Sequence, residues 1–348
     1  MKVAISTALA AILILPMAAD AHTLPLRGND LAPGERFSTN VHGGDIQGEG
    51  QDIIARRRIS DTNWSDMLEG KTDEAVNANY VVYGKPIYAM ASGTVIGCWR
   101  NAPENPAHGR HPARDKGLIP GAGNHLWVKQ DDGSVALYAH TIPGSIPAAL
   151  CPHNAALLVD NSITQGNPDI RKEAVVVNGA RITAGQMIGR VGNSGSSTAP
   201  HLHIHMERDG KPVKPLFDRG LTTPYIDGKA MIDGPWTPVA GQQLPRGPIL
   251  LWPQHPLGTW KFHGIADDEY RRHVAHMSNS GEMLLLATCE NNGASYDTHW
   301  VPASGQWASA FGMTAELAEA TNAKYVAQGY KRISNYVCGT RSVAVWHK

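Results

Sequence analysis

The stretch PHLHIHMERDGKP, Pro200 to Pro212, limits the fold more than any other. His201, His203 and His205 recur at every second position. Side chains of a β-strand alternate faces with a period of two, so a strand here carries three imidazoles on one side. Asp209-Gly210 then predicts a hairpin turn. Neutral imidazole is the commonest metal ligand. The local pattern therefore reads either as a metal site or as a His-rich exposed strand, and the rest of the chain has to choose.

The surroundings read as short strands punctuated by glycine. NHLWVKQDDGSVALYAH is a hairpin around Asp131-Asp132-Gly133, and ARITAGQMIGRVGNSG places Gly185, Gly189, Gly192 and Gly195 at turns. Residues Tyr83 to Phe217 thus predict a mainly β fold, an antiparallel β-sandwich or barrel-like core. Three stretches interrupt it: Arg56 to Val82, partly helical in character, Asn101 to Pro120, and Pro152 to Gly179. Long loops on a β scaffold carry binding function or are tolerated insertions. Ile232 to Gly258 holds six prolines and reads as a semi-rigid linker. Beyond it the chain repeats. One copy starts at Gly264 and the other at Gly312. Each runs as glycine, amphipathic helix, glycine, apolar strand and cysteine. The expected organisation is a signal segment 1–21, a β domain 22–231, a linker 232–258 and a small α+β tandem-repeat domain 259–348.

Formal net charge is zero with 18% charged residues, which argues against a nucleic-acid or anionic-membrane binder. The N-terminus has Lys2, an apolar run from Val3 to Pro16 and Ala19-Asp20-Ala21. It reads as a secretory signal cleaved near Ala21, predicting a periplasmic or secreted protein. The apolar run is short for a membrane span. Cys98, Cys151, Cys289 and Cys338 form no C-x-x-C pair. An even number in an exported chain predicts disulfides, and three pairings are open. Pairing Cys98 with Cys151 and Cys289 with Cys338 keeps each bridge within one half of the chain.

From His42 to Phe217 the chain resembles the lysostaphin-like zinc metallopeptidases, which cleave cell-wall peptides. The residues that carry the resemblance are YGKPIYAMASGTVI, GAGNHLWVKQDDGSVALYAH, ITAGQMIGRVGNSGSSTAPHLHIHM and DGKPVKP. The resemblance implies one Zn2+ per chain, bound by His203, by His42 of NVHGGDIQGEGQDIIA and by a carboxylate. It implies catalytic roles for His201 and His140. The family's usual His-to-Asp spacing is not kept. Asp45 is one position too close, and Asp52, which opens the apolar run DIIA, is the preferred ligand, with Asp45 as the alternative. His205 reads as supporting the ligands or the fold, His125 as structural, and His108, His111 and His153 as surface residues of the insertions.

The implied activity is an exported zinc metalloendopeptidase acting on peptidoglycan stem peptides or cross-bridges. The alternative is a catalytically silent envelope module that binds cell wall or regulates another hydrolase. Retention of His42, His140, His201 and His203 favours the enzyme. The C-terminal repeats weakly resemble the non-catalytic repeats of polyglycine hydrolases. There, Trp300 and Trp346 are candidates either for stacking on sugars or for the core.

Overall fold

The computed structural model describes residues 21–348 except 33, 60–62, 153–173, 219, 227–228, 231–236, 240, 248, 253–259 and 280–281. The expected signal segment and most of the third insertion lie outside the described residues. Contacts divide the chain into two compact units, residues 21–30 with 35–253 and residues 31–34 with 254–348.

The first unit is built on one antiparallel sheet. Its main strands are β1 (Glu35–Val41), β2 (Gln51–Arg58), β3 (Gly93–Trp99), β4 (Asn124–Gln130), β5 (Val135–Thr141), β6 (Leu202–Arg208), β7 (Gly220–Ile226) and β8 (Ile249–Trp252). They lie in the order β7-β8-β1-β2-β6-β5-β4-β3, and the outer strands do not pair with each other, so the sheet is open rather than a closed barrel. Alternation sorts the faces. Leu202, Ile204 and Met206 are buried on one side of β6, alongside Ile53 and Ala55 of β2 and Leu126 and Val128 of β4. Burying each large aliphatic side chain contributes about 1.5–3 kcal/mol. His203 and His205 point to the other side.

Both expected hairpins are present. β4 and β5 pair across Asp131–Gly133, and β6 pairs with Lys211–Val213. Asp209 and Gly210 have φ of 52° and 70°, the left-handed pair that a two-residue hairpin turn requires. Among the described residues, Arg56 to Val82 is not helical beyond a single turn at Asn77–Asn79; it begins inside β2 and continues largely as loop.

The proline-rich stretch 232–258 supplies sheet as well as connection. Thr237–Val239 pairs with β7 alone, an edge position where a proline's missing N–H costs no ladder bond. Residues Ile249–Trp252 form β8, between β7 and β1. The compact units divide only after Pro253.

The second unit holds two copies of one β-α-β-β motif. The first is Trp260–Ala266, helix Asp267–Asn279, Glu282–Glu290 and Ser295–Pro302; the second is Trp307–Met313, helix Ala315–Ala327, Lys331–Cys338 and Arg341–His347. In each sheet the last strand pairs with the other two. Gly264 and Gly312 have φ of 67° and 63° and sit at the same register shift in the first strand of each copy. Trp300 and Trp346 are both fully buried, so they are core residues and not a sugar-stacking surface. Disulfides join Cys98 to Cys151 and Cys289 to Cys338. Among the described residues no helix is long and apolar enough to cross a membrane.

Candidate metal centre

The centre is assembled by strand register. β2 and β6 are antiparallel neighbours, and Asp52 stands directly opposite His203. Side chains at opposed positions share a face, so the carboxylate and the imidazole meet. His203 Nδ1 lies 2.8 Å from Asp52 Oδ1. On the far side of β2, Asp52 is opposite Asn40 near the end of β1. His42 follows that strand at the mouth of the β1–β2 hairpin, with its backbone N–H donating to the Gly50 carbonyl at 2.8 Å. The ten-residue gap between His42 and Asp52 is therefore a hairpin excursion that brings the chain back to its start. Ligand atoms of His42, Asp52 and His203 all lie within 4.8 Å of one another. Two imidazoles and one carboxylate make a donor set suited to zinc, with a coordination position left over.

Asp45 begins the single turn Asp45–Gln47 inside that hairpin loop, and its side chain lies outside what is described. Burial raises the Asp52 carboxyl, but its hydrogen bond with His203 and the imidazoles of His201, His203 and His42 outweigh burial and hold it below the ordinary carboxylate value.

His201 and His140 stand beside the three. The ring centroids of His140 and His201 are 4.7 Å apart, and those of His140 and His203 are 6.0 Å apart. His201 Nε2 is 3.7 Å from Asp52 Oδ1. Its Nδ1 lies 2.9 Å from the Ala199 carbonyl, which can only accept, so Nδ1 carries the proton and Nε2 presents a lone pair. His140 repeats the arrangement, with Nδ1 donating to the Ser194 carbonyl at 2.8 Å. Its φ is 67°, a left-handed conformation that a non-glycine residue adopts rarely and at some cost. The β4–β5 register shifts across the same place. Burial lowers His140 well below the ordinary imidazole value, and His201 and His203 add to that effect. Burial also lowers His201, against the pull of Asp52. Both rings are held neutral, each with an unprotonated Nε2.

The loop that orients these rings rests on the second insertion. Asn105, fully buried, directs its amide nitrogen at the carbonyls of Asn193, Gly195 and Ser197, at 3.0, 2.8 and 3.1 Å. Gly195 has φ of 76° and runs against the backbone of Gly123, where any side chain would collide. Asn105 was not singled out by sequence reasoning. It sits in a Pro- and His-rich stretch with no periodicity to mark it.

His205 extends the centre down β6. Its Nδ1 lies 2.9 Å from His203 Nε2, and its ring meets Trp127 edge-on at 5.2 Å. Burial takes its pKa down to about 4. His125 is fully buried, donates from Nδ1 to the Gly123 carbonyl at 2.8 Å and does not line the groove. His108 accepts from or donates to Tyr80 Oη at 2.9 Å, and His111 caps the short helix Pro112–Asp115. His153 lies outside the described residues.

With this geometry in place, the chain can be set beside known proteins. Residues 170–215 match the model of Peptidase family M23. The M23 segment contains His201 and His203; His42, Asp52 and His140 lie outside it and join it through the sheet. The DD-carboxypeptidase/endopeptidase Mpg of Neisseria meningitidis is 31% identical over 111 residues, which is 32% of this chain and 18% of that protein. The same protein of Neisseria gonorrhoeae gives the same figures. The aligned part thus spans under a fifth of these relatives. Among solved structures, the catalytic domain of lysostaphin from Staphylococcus simulans is similar at 18% identity, covering 52% of this chain and 87% of that one, with a TM-score of 0.25. A variant of the catalytic domain of the M23 protein EnpA from Enterococcus faecalis is 22% identical, covering 46% and 88%, with a TM-score of 0.23. At such scores the fold reading rests on this chain's own strand order and register.

Proposed function

We propose that this chain is an exported zinc-dependent endopeptidase that hydrolyses peptide bonds in the stem peptides or cross-bridges of peptidoglycan. The observation that carries the proposal is the opposition of Asp52 and His203 across two strands, with His42 close enough to complete a three-ligand set and two neutral imidazoles alongside. The M23 match over residues 170–215 and the names of the Neisseria relatives support the substrate class.

In this reading His42, Asp52 and His203 hold one zinc ion. When bound, zinc polarises the scissile carbonyl and brings the pKa of a bound water to about 7. His201 Nε2 takes the proton from the attacking water and passes it to the leaving amine, since its Nδ1 is already committed to Ala199. His140 presents the same acceptor nitrogen, so it orients the water rather than donating to the oxyanion. The Ser194 carbonyl sets that tautomer.

The test combines zinc content with muropeptide digestion by mature protein. We expect about one zinc per chain and cleavage of muropeptides, both lost in His203→Ala. His201→Ala and His140→Ala should retain zinc and lose about 10²–10⁴-fold in turnover. Metal-free protein that still cleaves, or zinc-loaded protein that cleaves no peptidoglycan, would sink the proposal; the second result belongs to a silent envelope module.

A further inference from the structure

The groove does not stop at the metal ligands. One cavity of about 690 Å³ takes in His42, Asp52 and His203 and continues along the face of the sheet, where Ile46, Trp127, Leu137, His205 and Glu207 line it. Register explains the sequence of surfaces. Asp52, His203 and Ala139 form one row across β2, β6 and β5. His205, Leu137 and Trp127 form the next, across β6, β5 and β4. Glu207 stands one row further, opposite Val135. A substrate leaving the metal thus passes an apolar floor and then meets a carboxylate.

Among the described residues no hydrogen bond or ion pair engages the Glu207 side chain, although it is half-buried. The neighbouring acids are already committed, Asp132 to Arg208 and Glu49 to Arg246. Lys129 lies in Glu207's row on the far side of Val135, exposed, and forms no ion pair with it within 4.0 Å. A half-buried carboxylate in the same cavity as an indole can receive a cation: Glu207 supplies charge, Trp127, two strands across and one row nearer the metal ligands, offers an aromatic ring, and Leu137 between them covers an aliphatic stem.

We propose that Glu207 and Trp127 form a specificity subsite for a primary ammonium on an aliphatic side chain of the substrate peptide. The proposal rests on the reading of the site as a peptide hydrolase and adds the class of residue it selects. Glu207 lies four positions beyond His203 along β6, about 13 Å. An extended peptide covers that distance in about four residues, or in about two when a long basic side chain reaches along the groove. The selected amine therefore belongs to a residue two to four positions from the cleaved bond.

The test uses mature full-length protein, zinc-loaded, and one peptide scaffold carrying lysine, Nε-acetyl-lysine or norleucine at each of those positions. Cleavage should favour lysine by about fivefold or more at one position, through KM with kcat unchanged. Glu207→Gln should remove the preference while keeping the melting temperature and kcat. Binding of the same peptides, read by fluorescence anisotropy, should show the same lysine preference and the same loss. A preference equal in wild type and Glu207→Gln, or absent at every position, overturns the proposal. So does a preference that appears only in Lys129→Ala, which would mean that Lys129 already occupies Glu207 in solution. If no peptide is cleaved at all, the hydrolase reading fails on that result. The anisotropy arm then still decides the subsite: lysine-dependent binding lost in Glu207→Gln supports it, and equal binding refutes it.

Discussion

His205 has a buried ring whose Nδ1 lies 2.9 Å from His203 Nε2, the nitrogen of that imidazole turned away from Asp52. Outer partners of this kind orient a ligand and raise its basicity. We expect His205→Ala to weaken zinc about 10–100-fold in chelator competition, with much of the turnover recovered at saturating zinc. Unchanged zinc affinity would make His205 a packing residue only. His125 permits a cleaner electrostatic prediction because it lies off the groove. Burial lowers its pKa from 6.5 to about 4. Between those values the unfolded chain binds a proton that the folded chain refuses. Stability contributed by the neutral ring is thus present above pH 6.5 and is lost as pH falls towards 4. From pH 7 to 5, wild type should lose about 2 kcal/mol more than His125→Gln in denaturant titrations. Parallel losses in the two proteins would show that another group dominates that window.

At the scale of elements, the β1–β2 hairpin supports the proposal that Asp52 rather than Asp45 serves the metal. Asp52 is held in a ladder opposite His203, whereas Asp45 belongs to a turn inside the loop. Asp52→Ala should lose zinc and activity; Asp45→Ala should lose little of either. The reverse ranking would require the loop to fold over the site. The same hairpin accounts for the long His-to-Asp gap. A His and an Asp ten residues apart look unrelated in a linear motif, yet Asn40 and Asp52 are register partners. The β6 strand was legible because its period of two is a local property. Its partners were not, because pairing joins segments separated by 151 residues.

For the whole molecule, the first unit ends with β8, so truncation points matter. Ile249–Trp252 pairs with both β1 and β7, and β1 leads directly to His42. A protein ending after Pro253 should fold, bind zinc and cleave short peptides, while one ending at Gly247 should lose thermal stability and zinc together. We further expect loss of residues 254–348 to reduce sedimentation with intact sacculi, since a second binding unit raises local substrate concentration without touching the metal. Equal sedimentation by both proteins would leave the repeats no targeting role. The duplication itself was visible in the sequence because Gly264 and Gly312 recur with similar flanks. The opening strand of each copy was not, as most of Trp260–Ala266 and of Trp307–Met313 precedes Gly264 and Gly312, the glycines that mark the repeat.

By itself the sequence determined a mainly β chain, its two hairpins, its tandem repeats and the imidazoles available for a metal. Each of those follows from interactions between residues close in the chain: alternation, turn chemistry and repetition. Only the tertiary structure decided that Asp52 faces His203, that Asn105 holds the loop beneath His201 and His140, and that Glu207 continues the groove. These depend on which strand lies beside which and in what register. Register is set by burying Ile53 against Leu202 and the rest of the apolar face, a condition that involves the whole sheet at once.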